Sequence, residues 1–323
     1  MSTKPLLHVS FRPFRFSAVH YTHINYGYML LLLPAVIHGI TVYGVYAVRI
    51  EATAIAACMG ADILLERLFR RSSRIYDGSA ALTGLLTGML FPPLTPWWVI
   101  IVASFSAMFL GKQLFGGAGG SPFNAVCIGW AVAMVSWPEF SDPTYGSIGF
   151  ELPFSVEYSL DVLHRLGTEA LKLFPVKELL LGHQAGCVGT GASLLLCIGG
   201  GIGMLLGFVP WPIPLSFLGT MAATSALFAT STSEMVALPL FHLFTGYSFM
   251  GAFFLAADFS SRPVSRLVMV WYGAVAGLLT VLFRAWGMYP EGLPFAILLV
   301  NITVPLFDKG EAPDATTVEV MRL

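Results

Sequence analysis

Apolar stretches of roughly span length, separated by short polar turns, follow one another along nearly the whole chain. A helix needs about 20 apolar residues to cross the hydrocarbon of a bilayer, and about ten stretches meet or approach that length. They cover residues 26–48, 52–68, 79–91, 97–114, 122–137, 190–209, 212–229, 238–257, 267–285 and 293–307. The third is short and stops at Pro92-Pro93, and the basic run Arg67, Arg70, Arg71, Arg74 closes the second. The pattern predicts an all-α polytopic membrane protein of about ten transmembrane helices. Its expected parts are a 1–24 N-terminal segment, a first membrane repeat over 25–137, an extracytoplasmic loop over 138–189, a second repeat over 190–308 and a 309–323 tail.

The two halves share local features. Lys112 leads through a glycine-rich turn to GGSPFNAVCIGW (119–130), and Arg284 leads to PEGLPFAILLVN (290–301); both hold a Gly-x-Pro-Phe element that opens a short span. Thr83-Gly84 lies inside the third span and Thr245-Gly246 inside the eighth. With five spans per half the repeats are inverted, and interrupted segments at matching places in inverted repeats point to a site near the midplane. Broken backbone at that depth is tolerated where protein covers it or it lines a cavity. The plainer alternative is that the glycines let helices pack closely.

Composition agrees with the pattern. Hydrophobic residues make up 56% of the 323 and charged ones 11%, against about 25% charged in a soluble domain; mean hydropathy is +0.76. The net charge of -1 gives no footing for nucleic acid. Cys58, Cys127, Cys187 and Cys197 lie in or beside apolar stretches without CxxC spacing and are expected as small buried hydrophobes. The basic, aromatic N-terminus lacks the apolar core of a signal peptide. Lys4, Arg12, Arg15, the 67–74 cluster, Lys112, Arg262, Arg266 and Lys309 collect on one side of the expected bilayer. Arg49, Arg284 and the sparsely basic 138–189 segment fall on the other. Cytoplasmic termini in a bacterial inner membrane follow from the positive-inside rule.

Ionisable residues inside spans are costly and draw attention to function. Asp62 and Glu66 lie one turn apart on the second span, with Arg67 and Arg70 close behind, so an interfacial ion-pair cluster competes with an ion-transfer role. His38 sits mid-span and is expected to be structural. His242 and Asp258 flank the broken eighth span, where Asp258 with Arg262 is expected to close one end. Asn124 and Asn301, in the paired short spans, can satisfy freed backbone groups or offer an amide to a ring. The run 116–120 is no phosphate loop, since no Gly-Lys-Ser/Thr follows it. Gly119 nonetheless precedes a short helix whose N-terminal amides favour an anion. Residues 156–173 show helical spacing of apolar positions, which predicts a helix on the membrane surface or against a partner.

Five segments, DGSAALTGLLTGMLFPPLTPWW (77–98), GKQLFGGAGGSPFNAVCIG (111–129), IPLSFLGT (213–220), HLFTGYSFMGAFFLAAD (242–258) and PEGLPFAILLVNITVPLFD (290–308), resemble the RnfD/NqrB family and its RnfD branch in particular, in order and over essentially the whole chain. The resemblance implies a membrane component of a complex that passes electrons between ferredoxin and NAD through flavin, FMN or riboflavin, coupled to Na+ or H+ translocation. It implies as partners the A, E and G membrane subunits of the Rnf complex and its peripheral B and C iron–sulfur subunits. It further implies FMN on a threonine of a Ser-x-Ala-Thr motif in the large loop. Here the equivalent PFSVEYSLDVLHRL (153–166) has Tyr158 in the threonine's place, followed by Ser159. The nearest tetrapeptide elsewhere is Thr190-Gly191-Ala192-Ser193, and Thr245-Gly246-Tyr247-Ser248 is a second near match. Ser193 and Ser159 are the substitute anchors, with Thr190, Thr245, Thr83, Asn124 and Gly119 as further flavin contacts and Asp62, Glu66 and Asp258 on the ion path. The missing threonine motivates one alternative, a flavin-free secondary transporter or scaffold of the same fold; a component of a Na+-pumping quinone reductase is a separate one.

Overall fold

The structure is a computed structural model that describes residues 21–71, 75–117, 119–143, 155, 157–229, 234–289 and 291–307. Most of the expected 1–24 segment, all of the 309–323 tail and positions 144–154 of the large loop lie outside these residues. Every regular element among the described residues is helical, as the apolar pattern predicts.

The first half comprises α1 (Tyr21–Tyr43), α2 (Val45–Leu68), α3 (Ser79–Met89), α4 (Trp97–Met108) and α5 (Ala125–Ser136). Short helices follow: α6 (Pro138–Ser141), α7 (Ser159–Leu166), α8 (Ala170–Leu173) and α9 (Val176–Leu181). The second half comprises α10 (Ser193–Leu205), α11 (Pro212–Leu227), α12 (Glu234–Phe244), α13 (Ser248–Met250), α14 (Arg266–Trp286) and α15 (Leu293–Phe307). Among the described residues α1 and α14 are long and apolar enough to cross a membrane by themselves. Residues 237–244 and 248–255 form a bent pair at 69°, and the remaining apolar helices are shorter.

The boundary between the first two spans differs from expectation. Gly44, at φ 60°, is the whole turn between α1 and α2. Arg49, Ile50 and Glu51, expected in a loop, are therefore inside a helix. α3 approaches α2 closely: a Cβ on Gly84 would lie 2.6 Å from the Ile55 Cα. Gly84 thus serves helix packing. At 11 residues, α3 spans about 16 Å at 1.5 Å per residue, and the chain beyond it is covered. Leu90 and Phe91 are fully buried, and the 183–192 segment bonds to it through Val188 N to Phe91 O and Gly189 N to Met89 O.

Packing repeats between the halves. α2 lies against α4 and α11 against α14; α5 follows on α4, as α15 does on α14. Across the halves α1 meets α10 and α5 meets α15. Trp130 of α5 stands edge-on to Phe295 at 5.3 Å and to Tyr247 at 6.1 Å. The expected surface helix over 156–173 is instead α7 and α8, packed on this chain's own broken span: Tyr158, Leu160, Val162, Ala170, Phe174 and Leu179 bury against Phe241. Cys58, Cys127 and Cys187 are buried, as expected, whereas Cys197 is half-buried; all four are free thiols.

Candidate functional site

Two polar clusters occupy opposite ends of the bundle. The first begins at Lys112, inside a π-helical turn (Phe109–Gln113) that extends α4. Such turns break the helical ladder and are frequent at functional sites. The Lys112 Nζ donates to Asp62 Oδ2 and to Ser79 Oγ, both at 2.8 Å. Gln113 Nε2 donates to Asp62 Oδ1 at 2.5 Å, and Arg71 Nη1 holds Gln113 at 2.9 and 3.0 Å. Asp62 therefore takes its cation from the fourth span. Arg67 and Arg70, the partners expected from sequence, are exposed. Glu66 is buried on the same face as Asp62, and its carbonyl accepts from Arg71 N at 2.8 Å.

Beside Lys112 lies a small polar cavity of ≈ 40 Å³, walled by Asn25, Ser79, Thr83, Ser121, Asn124 and Asp258 among others. It brings together three predicted residues: Thr83 and Asn124 from the first half and Asp258 from the second. Asn124 caps α5 by accepting from Cys127 N at 3.0 Å, and its Nδ2 donates to Leu255 O at 2.9 Å. Leu255 ends a second π-helical turn (Gly251–Leu255), so one amide both starts a helix and satisfies a carbonyl freed across the halves. Because that cap already uses the Cys127 amide, the α5 N-terminus is less free for an anion than expected. Gly119 stands apart in an exposed turn at φ 87°. Burial pushes the Asp258 carboxyl up to about 6, against the pull of Arg262 and of the Ser260 and Phe259 amides. Arg262 meets Asp258 through its backbone, N to O at 3.1 Å, and turns its guanidinium to the Phe208 and Ala257 carbonyls at 3.5 Å.

The second cluster forms at the break of the eighth span. Gly246 sits at φ 62°, and a Cβ there would overlap Glu291 Oε1. The carbonyls released by the bend are taken by Arg284: Nη1 donates to His242 O at 2.7 Å, and Nη2 to Thr245 O at 3.2 Å. Nη2 also reaches Ser248 Oγ at 3.0 Å and Glu291 Oε1 at 3.3 Å. Both members of this ion pair are 1% exposed at the side chain. Arg284, placed from sequence at the end of the ninth span and counted with the charges on one side of the bilayer, is a core residue. Tyr158 covers the pair from the loop, its hydroxyl donating to Glu291 Oε1 at 2.6 Å. Burial keeps that phenol neutral, its pKa well above the ordinary value.

Ser193 and Ser159 are joined through Gln184. Ser193 Oγ donates to Phe244 O at 2.7 Å, Gln184 Nε2 to Ser193 Oγ at 3.3 Å, and Ser159 Oγ to Gln184 Oε1 at 3.3 Å. Thr190 Oγ1 turns to Cys187 O at 3.5 Å, and Thr245 Oγ1 to Phe241 O at 2.7 Å. All four hydroxyls are buried and occupied, so they do not fit a phosphoester linkage to a solvent-borne FMN. A groove of ≈ 540 Å³ between α5, α14 and α15, walled by Phe123, Phe283, Tyr289 and Phe295, is large enough for a planar ring. It offers no cation or amide cluster for a phosphate among the described residues.

Sequence reasoning missed Glu51 because it began the second span one residue later, and it missed the Arg284–Glu291 pair because the two flank a turn. The signals were present. Gly44 is the break between the first two helices, and Glu291 belongs to the same Pro-Glu-Gly-Leu-Pro-Phe run whose glycine and proline were noted.

An all-helical bundle with a broken span and buried ion pairs defines a membrane protein built around interrupted helices. A sequence model of the NQR2, RnfD, RnfE family matches residues 8–317, and the chain belongs to that family. It is 31% identical over 297 residues to the D subunit of the proton-translocating ferredoxin:NAD(+) oxidoreductase complex of Clostridium ljungdahlii, covering 90% of each chain. It is 34% identical over 344 residues to the D subunit of the ion-translocating oxidoreductase complex of Cronobacter sakazakii, covering 93% of this chain and 98% of that one. The corresponding D subunit of Pseudomonas aeruginosa is 34% identical over 308 residues, covering 88% and 90%.

Proposed function

We propose that this chain is the D-type membrane subunit of a bacterial Rnf-type complex, in which electron passage between ferredoxin and NAD is coupled to cation translocation. The A, E, G, B and C components are its partners in this reading. The chain-long likeness to proteins named for that activity supports it. The repeated packing of α2 on α4 and α11 on α14 supports two repeats of five spans, and the distribution of Lys and Arg supports cytoplasmic termini.

The observation that carries the assignment of the ion path is the cavity itself: Thr83, Asn124 and Asp258 converge on one polar space between the halves, beside the Asp62–Lys112 pair. Hydroxyl, amide and carboxyl oxygens are what a small cation or a proton needs as it leaves water. In this reading Asp258 binds and releases the cation, Asn124 holds the two halves in register, and Lys112 neutralises Asp62. Flavin, when bound, supplies one- and two-electron transfer; this chain contacts it without a covalent link. Deleting the chain from the complex abolishes ferredoxin-dependent NAD reduction. Asp258→Asn lowers ion translocation while electron transfer persists once the membrane is uncoupled. Unchanged translocation in that variant sinks the ion-path assignment.

A second reading, a flavin-free scaffold of the same fold, is favoured by one observation: the tyrosine in the threonine's place is bonded into the protein interior. An optical spectrum and intact mass of the purified chain, before and after acid, separate the two. Released flavin supports the first reading and a colourless chain supports the second.

A further inference from the structure

Glu51 stands on the inner face of α2, near its start, and is 5% exposed. Among the described residues neither carboxyl oxygen has a hydrogen-bond partner. The two ion pairs buried in the bundle among the described residues are closed without it: Asp62 is answered by Lys112 and Arg284 by Glu291. Glu51 faces Gly88 of α3, where a Cβ would come within 2.5 Å of Oε2. The carboxyl therefore lies against bare backbone.

Among the described residues the groups around it offer no counter-charge. α3 and α4 carry no ionisable side chain along their lengths. Arg49, the nearest cation on α2, reaches Thr95 O at 3.5 Å. α1 brings His38 and Tyr43 to this end of the bundle, and Tyr43 is bonded to Gly186 O. The adjoining 183–192 segment carries His183 and Cys187, the latter bonded to Tyr247. Asp77, Lys112, Asp62 and Glu66 lie toward the far end; Asp62 is about 16 Å along the helix from Glu51.

An ionised carboxylate without a partner in so apolar a place is far costlier than a neutral acid. A hard metal cation requires several oxygen ligands; among the described residues no group of three or more His, Cys, Asp or Glu side chains gathers to hold one, and Glu51 faces the glycine backbone of α3. The remaining small ligand is a proton. We propose that Glu51 is a proton-binding site inside the membrane domain. A proton from water adds to the carboxylate to give the neutral acid, and release reverses the step with no other bond changed. Ser79, Thr83 and Thr87 recur every four residues along α3 and form a hydroxyl stripe from the Lys112–Asp62 cluster to the residue beside Gly88. The site thus lies at one end of a polar line whose other end is the cavity.

The proposal rests on the ion-translocating reading, so its test reads binding apart from turnover. Native membranes holding the whole complex are treated with dicyclohexylcarbodiimide, which reacts with protonated carboxyls in apolar surroundings, and this chain is mapped by peptide mass. The expected result is an adduct on Glu51 that declines as pH rises, is indifferent to Na+, and disappears in Glu51→Gln. That variant also loses ion translocation while its uncoupled electron transfer is retained. No adduct on Glu51, protection by Na+, or wild-type translocation in Glu51→Gln overturns the proposal. An adduct on Glu51 in a complex that moves no ion at all supports the site and sinks the functional reading instead.

Discussion

At the scale of single residues, most of the chemistry lies in side chains that answer one another across sequence distances no local pattern displays. Asp62 is an example. Its neighbours in sequence suggest Arg67 and Arg70, but helical geometry turns Arg67 outward, Arg70 lies past the end of α2 at φ 54°, and Asp62 faces Lys112, 50 residues on. Removing one member of a buried pair strands the other as an uncompensated charge, at a cost of about 3–5 kcal/mol. Lys112→Met is therefore expected to lower the thermal stability of the purified complex severely, and Lys112→Met with Asp62→Asn to recover much of it; equal loss in both fails this account. Asp258 gives a pH signature with a definite sign. Its folded pKa, about 6, lies above the ordinary 3.8, so the folded state binds the proton more tightly than the unfolded one. The associated stabilisation is complete below about pH 4 and is lost as pH rises through about 6, amounting to about 3 kcal/mol. Melting curves across that window should show the decline in the wild type and not in Asp258→Asn.

At the scale of elements, the apolar pattern located nearly every helix, because burial in lipid or protein demands an apolar surface whichever partner supplies it. Where the pattern failed, two charged residues within a helix outweighed it. Arg49 and Glu51 suggest a loop; the backbone instead continues because Gly44 has already made the turn, and the polar groups are accommodated by Thr95 and by the space over Gly88. Glycines divide by mechanism. Gly84 is a packing glycine, whereas Gly246 owes its place to a left-handed φ and to the Glu291 oxygen in the space of its Cβ. Gly246→Ala is expected to cost about 1–3 kcal/mol from backbone strain alone, with further loss from displacing Glu291. Gly219→Ala, on a helix with open space around it, should be neutral or mildly stabilising. Equal effects of the two on melting temperature would remove the distinction.

At the scale of the whole molecule, the two clusters divide the ends of the bundle between an open polar space and a closed one. The cavity beside Lys112 was partly legible, since Thr83, Asn124 and Asp258 each drew attention separately; that they share one space depends on how the halves meet. The closed end was not legible, because it requires the loop to fold back: Tyr158 descends onto Glu291, Gln184 binds Phe244 O at 2.8 Å, and Tyr43 and Tyr247 pin the 183–192 segment at Gly186 and Cys187. The loop is thereby part of the membrane fold: Tyr158 supplies a donor to Glu291, and Gln184 satisfies the Phe244 carbonyl of the broken span. Tyr158→Phe removes one donor from a buried carboxylate, worth about 1–3 kcal/mol, and also the only side-chain hydrogen bond from the start of α7 to Glu291 among the described residues. It should raise protease cleavage within 157–192 without altering the cavity at the other end, so that the pH dependence assigned to Asp258 persists. If the loop stays resistant in that variant, apolar packing of Leu160, Val162 and Phe174 on Phe241, with the Gln184, Tyr43 and Tyr247 contacts, holds it without Tyr158, and that polar contact serves Glu291 rather than the loop.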